Sequence, residues 1–238
     1  MRVLLLTFVL IFSISASAQS PTVTNLFAEG TKQTNAGRFD EALKNFKTAL
    51  FMAENEYLSA GYRARVQYNI GVCYFKLNRF DPAIDHFKAA LLLKTDYTRA
   101  HYALGMAEMR KRHAIAAVSS FSRVLKLDPK NGEAWFDLAF ASLALNDLET
   151  AEKGFARSIE FGSVDSNLSH NNIGVILAMK GNFADAEDQF ETAITLSNGK
   201  LTEARRNLEF CRSKHAGKSE LVATGFQFAR RNESLALS

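Results

Sequence analysis

The residue types that build most catalytic and metal sites are present in this chain, but they are scattered along it. Its five histidines are His86, His101, His113, His170 and His215. The spacings His-Glu-x-x-His, Cys-x-x-Cys, Gly-x-Ser-x-Gly and Gly-x4-Gly-Lys-Ser/Thr, which build metal, nucleophile and phosphate sites, do not occur in it. We therefore interpret the histidines as packing or partly exposed residues, and we predict no catalytic residues, no metal ligands and no cofactor.

The two cysteines, Cys73 and Cys211, lie in the second and the last of the helical units described below. A disulfide needs two Cα atoms within about 7 Å of each other, whereas stacked helices add about 10 Å per layer. We therefore predict two unpaired thiols, with Cys73 as a small packing residue.

Charge is spread evenly, apart from a compact basic cluster at Arg110-Lys111-Arg112-His113. The net charge of +4 is too small to predict nucleic-acid binding. For the cluster we favour a solvated turn, and an anion-binding or partner-docking edge is the alternative.

The first residues predict an export signal. Met1-Arg2 is followed by an almost wholly apolar run from Val3 to Ile14, and then by the small residues Ala16-Ser17-Ala18. This run is shorter than the ~20 residues that span a bilayer as a helix. We predict a signal peptide over residues 1–18, cleaved after about Ala18, and hence a periplasmic or secreted protein. An uncleaved membrane anchor is the alternative.

The rest of the chain repeats one helical hairpin. The first helix of each copy carries a small residue, and these are Gly30, Gly71, Gly105, Ala139 and Gly174. The second helix carries an Ala-x3-Phe pair, namely Ala42/Phe46, Ala83/Phe87, Ala117/Phe121, Ala151/Phe155 and Ala186/Phe190. A small residue lets the two helices lie close together, and the ring fills the space beside that contact. Successive small residues are 41, 34, 34 and 35 positions apart.

This pattern resembles the tetratricopeptide repeat, a helix–turn–helix unit of about 34 residues with the signature Trp-x2-Leu-Gly-x2-Tyr, Ala-x3-Phe and Pro. Trp135 and Pro129 supply two more signature residues once each. The resemblance implies an all-α fold, a right-handed α-solenoid of five repeats within a domain of residues 19–214. The repeats span about 23–56, 64–97, 98–131, 132–165 and 167–200, followed by a capping helix at about 201–214 and a flexible tail at 215–238.

Two departures from the repeat carry information. The first step exceeds the period by seven residues, which is about two helical turns. The second helix of copy one and the first helix of copy two can therefore each gain a turn. The third copy has Lys111-Arg112-His113 where the other turns have Gly or Asn, so its turn is the least well encoded.

In this family, the face of the first helices that points away from the paired second helix lines a concave groove that holds peptides. The residues that we predict to line the groove are Arg65, Tyr68, Asn69, Val72, Phe75, Lys76, Arg99, Tyr102, Met106, Met109, Phe136 and Phe140. Aromatic residues, Met and Arg are the types that dominate interface hot spots. For any one of them, the alternative is that it fills the seam between neighbouring first helices.

Some members of the family clamp the carboxylate tails of heat-shock chaperones, using a Lys and an Asn one turn apart in the first repeat. Phe27 and Thr31 occupy those two positions here. Asn69 and Arg99 match two further positions of the clamp, but Ala103 stands where a basic residue is expected. The clamp is therefore incomplete.

The resemblance implies a non-enzymatic scaffold that binds a protein or peptide partner in the groove of copies two to four. Acidic groups of the partner would meet Arg65 and Arg99. A structural subunit of a cell-envelope assembly, bound through its convex face, ends or tail, is the alternative. We expect no nucleic-acid partner and membrane contact only through partners, and self-association stays open.

Overall fold

The structure, a computed structural model, describes residues 22–215. The predicted signal peptide and all of the predicted tail after residue 215 lie outside the described residues. The helices are α1 (Val23–Asn35), α2 (Phe39–Asn55), α3 (Ala60–Lys76), α4 (Phe80–Leu93), α5 (Thr98–Arg110), α6 (Ala114–Leu127), α7 (Gly132–Ala144), α8 (Leu148–Glu160), α9 (Ser166–Met179), α10 (Phe183–Leu196) and α11 (Thr202–His215). Between residues 22 and 215 there is no strand, and no helix is long and apolar enough to cross a membrane.

These helices form five hairpins and one last helix. α1 packs on α2, α3 on α4, α5 on α6, α7 on α8 and α9 on α10. The second helix of each hairpin also packs on the first helix of the next, and α11 packs on α10. Because contacts join mainly neighbours along the chain, the hairpins stack into a solenoid. The predicted all-α repeat fold is confirmed.

A close helix–helix approach holds each hairpin together. A Cβ atom added to Gly71 would lie 2.6 Å from the Phe87 ring, and one added to Gly174 would lie 2.7 Å from the Phe190 ring. Copies one and three are built in the same way. In the fourth copy, where the small residue is Ala139, the close approach comes from the second helix instead. A Cβ atom on Gly154 would lie 2.8 Å from that of Ala139.

The extra residues between copies one and two lengthen both helices that flank them. α2 and α3 each have 17 residues, whereas the other helices have 13 or 14. The expected gain of about one turn in each helix is therefore confirmed. The first turn of the longer α3 forms one wall of the cleft described below.

The turns between paired helices all use a residue with positive φ, and these are Gly37, Asn78, Arg112, Asn146 and Gly181. Arg112 has a φ of 62°, a conformation that strains an ordinary L residue. The backbone N–H of His113 donates to the Glu108 carbonyl at 2.9 Å, and its Nδ1 lies 2.7 Å from Glu108 Oε2. These contacts close the turn that the sequence encodes least well.

The basic cluster at this turn bridges to the preceding repeat. The Arg110 guanidinium lies 4.9 Å from the centroid of the Phe80 ring. Lys111 Nζ donates to the Asp81 carboxylate at 3.0 Å, while Arg112 is exposed. Two of the four residues thus join copy three to the turn of copy two.

The apolar core is continuous in the first repeats and divided in the last ones. One large cluster runs from Val23 to Ala141, and two smaller ones surround Phe155 and Phe190. Cys73 and Cys211 are both buried and unpaired, as predicted, and Cys73 belongs to the large cluster. Burial raises the pKa of the Cys73 thiol above its ordinary value, and it raises the pKa of Cys211 to about 11.

The last helix, α11, closes the C-terminal end of the stack. Leu208 and Cys211 on its inner face are buried in the last core cluster. Its other face carries the exposed Arg205, Arg206 and Glu209. A helix with one apolar and one charged face is suited to the end of a repeat stack, because the apolar face covers the last hairpin while the charged face lies in solvent.

Candidate interaction cleft

A column of aromatic rings follows the first helices of the first four repeats. Phe27, Tyr68, Tyr102 and Phe136 each lie three residues before the small residue of their repeat. Each packs on the Ala-x3-Phe ring of its own hairpin, with centroids between 5.4 and 5.9 Å apart. The column is therefore part of the hairpin core, and its rings differ in how much surface they leave to solvent.

The structure divides the twelve predicted groove residues by burial. Those buried in the seams between helices are Tyr68, Val72, Phe75, Met106 and Phe136. The partly exposed ones are Asn69, Lys76, Tyr102, Met109 and Phe140, and the exposed ones are Arg65 and Arg99. Phe136, with 1% of its surface exposed, offers nothing to a partner. Three of the buried five, Tyr68, Phe75 and Phe136, pack on rings of the second helix of their own hairpin.

A cleft lies further towards the N-terminus. Its volume is about 820 Å³, and it opens between α1, α3 and α5, at the connection that leads from α4 into α5. It is lined by Phe27, Thr31, Ser59, Gly61, Tyr62, Arg65, Asn69, Lys94, Asp96, Tyr97, Thr98 and Arg99. Only Arg65, Asn69 and Arg99 belong to the predicted groove set. The cleft thus spans copies one to three rather than copies two to four.

The first turn of the lengthened α3 forms one wall of this cleft. Ser59 caps that helix, and its Oγ accepts a hydrogen bond from the Tyr62 backbone N–H at 3.2 Å. The Tyr62 hydroxyl donates to the carbonyl of Val23 at 3.1 Å, and its ring lies 5.7 Å from that of Phe27. The wall is therefore tied to α1 by a hydrogen bond and a ring contact.

Cationic side chains lie on the rings of the cleft. The Arg65 guanidinium is 5.0 Å from the Phe27 ring centroid and 5.8 Å from that of Tyr62. Lys94 Nζ lies 5.5 Å from the centroid of Tyr97. Such cation–π contacts hold long side chains in place while the charge stays at the surface.

The tyrosines of the cleft stay protonated at neutral pH. Burial raises the pKa of Tyr62 and of Tyr97, and nearby Arg65 and Arg99 offset part of the rise. Beneath them, burial raises the pKa of Tyr68 to about 12. The hydroxyls therefore remain neutral hydrogen-bonding groups, and the charge of the cleft comes from its Arg, Lys and Asp residues.

Two polar side chains on the cleft floor are already engaged with their own helices. Asn69 Nδ2 donates to the carbonyl of Arg65 at 2.8 Å, and the Thr31 hydroxyl donates to the carbonyl of Phe27 at 2.9 Å. These are the positions at which the carboxylate clamp would present neutral donors. Their engagement agrees with the incomplete clamp that the sequence indicates.

The same face is built differently in the later repeats. In the fifth copy the aromatic column is replaced by Asn171, which is fully buried together with Asn172 and Asn207. Asn207 Nδ2 donates to Asn171 Oδ1 at 2.8 Å, and Asn171 Nδ2 donates to Asn172 Oδ1 at 3.1 Å. In the fourth copy, Asp137 accepts a hydrogen bond from the Tyr102 hydroxyl. Polar groups here bind one another in the seam.

Four of the histidines, His86, His101, His113 and His170, have local partners. His86 Nδ1 lies 2.6 Å from the Gln67 side-chain oxygen, and His170 Nδ1 lies 2.7 Å from that of Gln189. These two pairs are the same contact with the two residue types exchanged between the helices of a hairpin. No group of three or more His, Cys, Asp or Glu residues in the described part of the chain could hold a metal ion.

Comparisons with known proteins support the repeat assignment. Two sequence models of the tetratricopeptide repeat match residues 33–96 and 109–166. BBSome complex member BBS4 from Bos taurus is 27% identical over 167 residues, which cover 70% of this chain but only 30% of that protein. The chain thus spans under a third of this relative's length.

Solved structures share the fold. MamA from Desulfovibrio magneticus RS-1 superposes with a TM-score of 0.67 at 17% identity, covering 77% of this chain and 99% of that one. YrrB, described as a repeat protein of this kind with an unusual peptide-binding site, gives a TM-score of 0.65 at 21% identity. That match covers 84% of this chain and 93% of YrrB. At such identities the likeness shows the fold alone.

Proposed function

Because this chain belongs to the tetratricopeptide repeat family, we propose that it is a non-enzymatic protein-interaction scaffold, and that a segment of a partner protein binds in the cleft between α1, α3 and α5. The observation that carries the proposal is the cleft itself. Its volume of about 820 Å³ lies within the range of binding sites, and rings and cations line it. Aromatic and Arg side chains are the types that anchor partners.

The proposal moves the site towards the N-terminus relative to the sequence prediction. Arg65, Asn69 and Arg99 keep their role, while Phe27, Tyr62 and Tyr97 supply the apolar contacts. The buried Tyr68 supports the cleft from beneath, because its ring centroid lies 5.2 Å from that of the cleft residue Tyr97.

We further propose that the scaffold acts outside the cytoplasm. The support is the sequence of residues 1–18, with its short positive start, its apolar run and its small residues before Gln19. N-terminal sequencing of the protein from its native cells tests this part. We expect Gln19 as the first residue, whereas an intact Met1 on the cytoplasmic protein would contradict it.

The alternative function, a structural subunit of a multiprotein envelope assembly, has one observation in its favour. Three large apolar side chains stand in solvent on successive second helices. They are Phe51 on α2 with 65% of its surface exposed, Leu92 on α4 with 85% and Ile115 on α6 with 76%. Phe51 and Leu92 lie near the ends of α2 and α4, and Ile115 lies near the start of α6. Exposed apolar side chains on the second helices are contacts that an assembly partner could cover.

Site-specific cross-linking in the native compartment separates the two functions. A photo-reactive amino acid in place of Thr31 or Thr98 lies in the cleft, and one in place of the exposed Ser119 lies on α6. The cleft proposal predicts a discrete adduct with one protein from the cleft positions and none from Ser119. Adducts from Ser119 alone would favour the assembly function, and adducts from neither cleft position would overturn the cleft proposal.

A further inference from the structure

A buried carboxylate between copies two and three has two basic neighbours. Glu108, with 4% of its surface exposed, follows the small residue of its repeat by three positions. Its Oε1 lies 3.9 Å from Lys88 Nζ, and its Oε2 lies 2.7 Å from His113 Nδ1. Lys88 directly follows the Phe of the preceding repeat, and His113 follows the small residue by eight positions. Three repeat positions thus build a site in which two basic groups flank one carboxylate.

The same three positions one repeat earlier hold two cations and a neutral ring. They are Lys47, Tyr74 and Arg79, and we call this set the Tyr74 site. Lys47 Nζ lies 5.3 Å from the centroid of the Tyr74 ring, and the Arg79 guanidinium carbon lies 5.0 Å from it. Among the side chains that the structure describes, no carboxylate oxygen lies within 4.0 Å of a cationic nitrogen of Lys47 or Arg79. The carboxylate that copy three supplies has no counterpart here.

The other neighbours of the Tyr74 ring leave this charge in place. His86 stacks on the ring with centroids 5.4 Å apart, and its Nδ1 lies 2.6 Å from the Gln67 side-chain oxygen. Burial and the charge of Lys47 lower the pKa of His86, and Asp85 offsets part of the shift, so the imidazole is neutral at pH 7. The Tyr74 site therefore carries the two positive charges of its own Lys and Arg.

The Tyr74 site lies on the opposite side of α3 from the cleft. Tyr74 follows the cleft residue Arg65 by nine positions, which is two and a half helical turns. Lys47 and Arg79 are exposed, whereas the Tyr74 ring is buried beneath them. Because both cations lie within 5.3 Å of one ring centroid, small rotations of their long side chains bring both to one carboxylate.

An apolar side chain next to the site favours a protein as the source of that carboxylate. Phe51 lies one turn after Lys47 on α2, so the two side chains share a face, and 65% of the Phe51 surface is exposed. A free inorganic anion would leave this ring in water. A protein segment with an apolar residue next to an acidic one would cover it.

We propose that the Tyr74 site binds a Glu or Asp side chain of a partner protein, with the carboxylate between Lys47 and Arg79 and a neighbouring apolar side chain on Phe51. The partner then supplies from outside the charge that Glu108 supplies from within in copy three. This surface is separate from the cleft, so the inference does not depend on the proposed function. It gives the scaffold a second recognition surface, on the second-helix side of the stack.

Side-chain nuclear magnetic resonance on the full chain tests the proposal. The Nε–Hε signal of Arg79, identified by its absence in Arg79→Lys, is followed while the acetylated and amidated peptide Ala-Leu-Glu-Leu-Ala is added. We expect this signal to shift and saturate, with binding about fivefold tighter than that of the same peptide with Gln in place of Glu. Added salt should weaken the binding. Inorganic phosphate should bind less tightly than the Glu peptide, because it makes no contact with Phe51.

Variants with matched controls tie the binding to the Tyr74 site. Lys47→Gln removes one of the two cations and should weaken binding of the Glu peptide by about two- to fivefold. Lys126→Gln makes the same change at an exposed residue of α6 and should leave Kd unchanged. Tyr74→Glu places a carboxylate in the site, as in copy three, and should abolish binding although both cations remain. Its control, Tyr74→Gln, introduces the residue type that Gln33 supplies in copy one and should still bind the peptide.

Any of several results overturns the inference. These are an Arg79 signal that does not shift, equal affinity for the Glu and Gln peptides, equal losses in Lys47→Gln and Lys126→Gln, or unchanged binding in Tyr74→Glu. Phosphate that binds more tightly than the Glu peptide would assign the site to a phosphate group instead. Arg65→Gln should leave the Arg79 titration unchanged, and a loss of binding in that variant would place the peptide in the cleft.

Circular dichroism melting checks that each variant keeps the fold. Lys47→Gln changes only an exposed side chain, so it decides the outcome even if Tyr74→Glu does not fold.

Discussion

The first four repeats and the fifth build the same hairpin around different side chains. In the first four, the position that precedes the small residue by three holds Phe27, Tyr68, Tyr102 and Phe136, and each ring packs on the ring of the second helix. In the fifth repeat that position holds Asn171, which hydrogen-bonds to other buried amides. A ring can be shared between the core and a surface cleft, whereas a buried amide needs all its partners inside.

This difference has a consequence for both stability and function. The first repeats share one continuous apolar cluster, while the last ones are divided into two smaller clusters. In a stack of repeats, stability is the sum of each unit and its contacts with its neighbours. We therefore expect the N-terminal repeats to be the rigid base that holds the cleft, and the C-terminal repeats to open first.

The largest expected effects come from removing the ring at the centre of a hairpin. Phe87→Ala and Phe190→Ala each delete a fully buried ring and should cost about 3–5 kcal/mol of unfolding free energy. Phe87 lies in the continuous cluster, so its loss should lower the whole unfolding transition. Phe190 lies in the small last cluster, so its loss should cause α9 to α11 to unfold separately from the rest of the chain.

Denaturant unfolding combined with amide hydrogen exchange measures both effects. The comparison predicts one lowered transition for Phe87→Ala and two separate transitions for Phe190→Ala. If both variants lower a single transition equally, the two halves are one cooperative unit and the comparison is wrong.

A smaller effect is expected from the amide network of the last repeats. Asn207→Ala removes the donor that satisfies Asn171 Oδ1 and should cost about 1–3 kcal/mol, because a buried polar group is then left without its partner. The neighbouring Arg206→Ala changes an exposed side chain and should stay within ~0.5 kcal/mol of the wild type. Thermal melting of both variants checks this. Equal melting temperatures would show that the hydrogen bond between the Asn207 and Asn171 side chains contributes nothing to stability.

The smallest effect should be a gain in stability in the third turn. Arg112→Gly relieves a positive φ that costs an L residue about 1–2 kcal/mol, and the greater freedom of Gly in the unfolded chain offsets about 0.5–1 kcal/mol of that gain, so the protein should be stabilised by about 1 kcal/mol or less. The converse change at the equivalent turn position of the first hairpin, Gly37→Ala, should destabilise by a comparable or larger amount because its φ is 75°. Destabilisation by Arg112→Gly would mean that the Arg side chain itself holds the turn.

The sequence alone predicts the architecture well, and the reason is physical. The Ala-x3-Phe pairs and the small residues are the two sides of each helix contact, so their spacing determines which helices pair. The seven-residue excess predicted the longer α2 and α3, because helix length follows from residue count. Gly154 was missed, since the fourth repeat moves the small residue to its other helix.

The site could be predicted only in part. Helical periodicity tells which face a residue occupies, but not how much of that face the neighbouring helix covers. Asn69 and Val72 share a face, yet Val72 is fully buried while Asn69 lines the cleft. Tyr62 and Tyr97 lie at the start of α3 and just before α5, outside the part of the helix that the repeat signature describes. The seven extra residues before Arg65 were the available signal that this end of the face stays open.

Amide hydrogen exchange on the full chain, with and without the partner protein that cross-links at Thr31 or Thr98, tests the central claim most directly. The account predicts slower exchange on binding in residues 24–31, 60–69 and 94–99, which surround the cleft, and unchanged exchange in α7 to α10. Protection confined to α7 to α10, or protection in neither region when the partner is saturating, would contradict it.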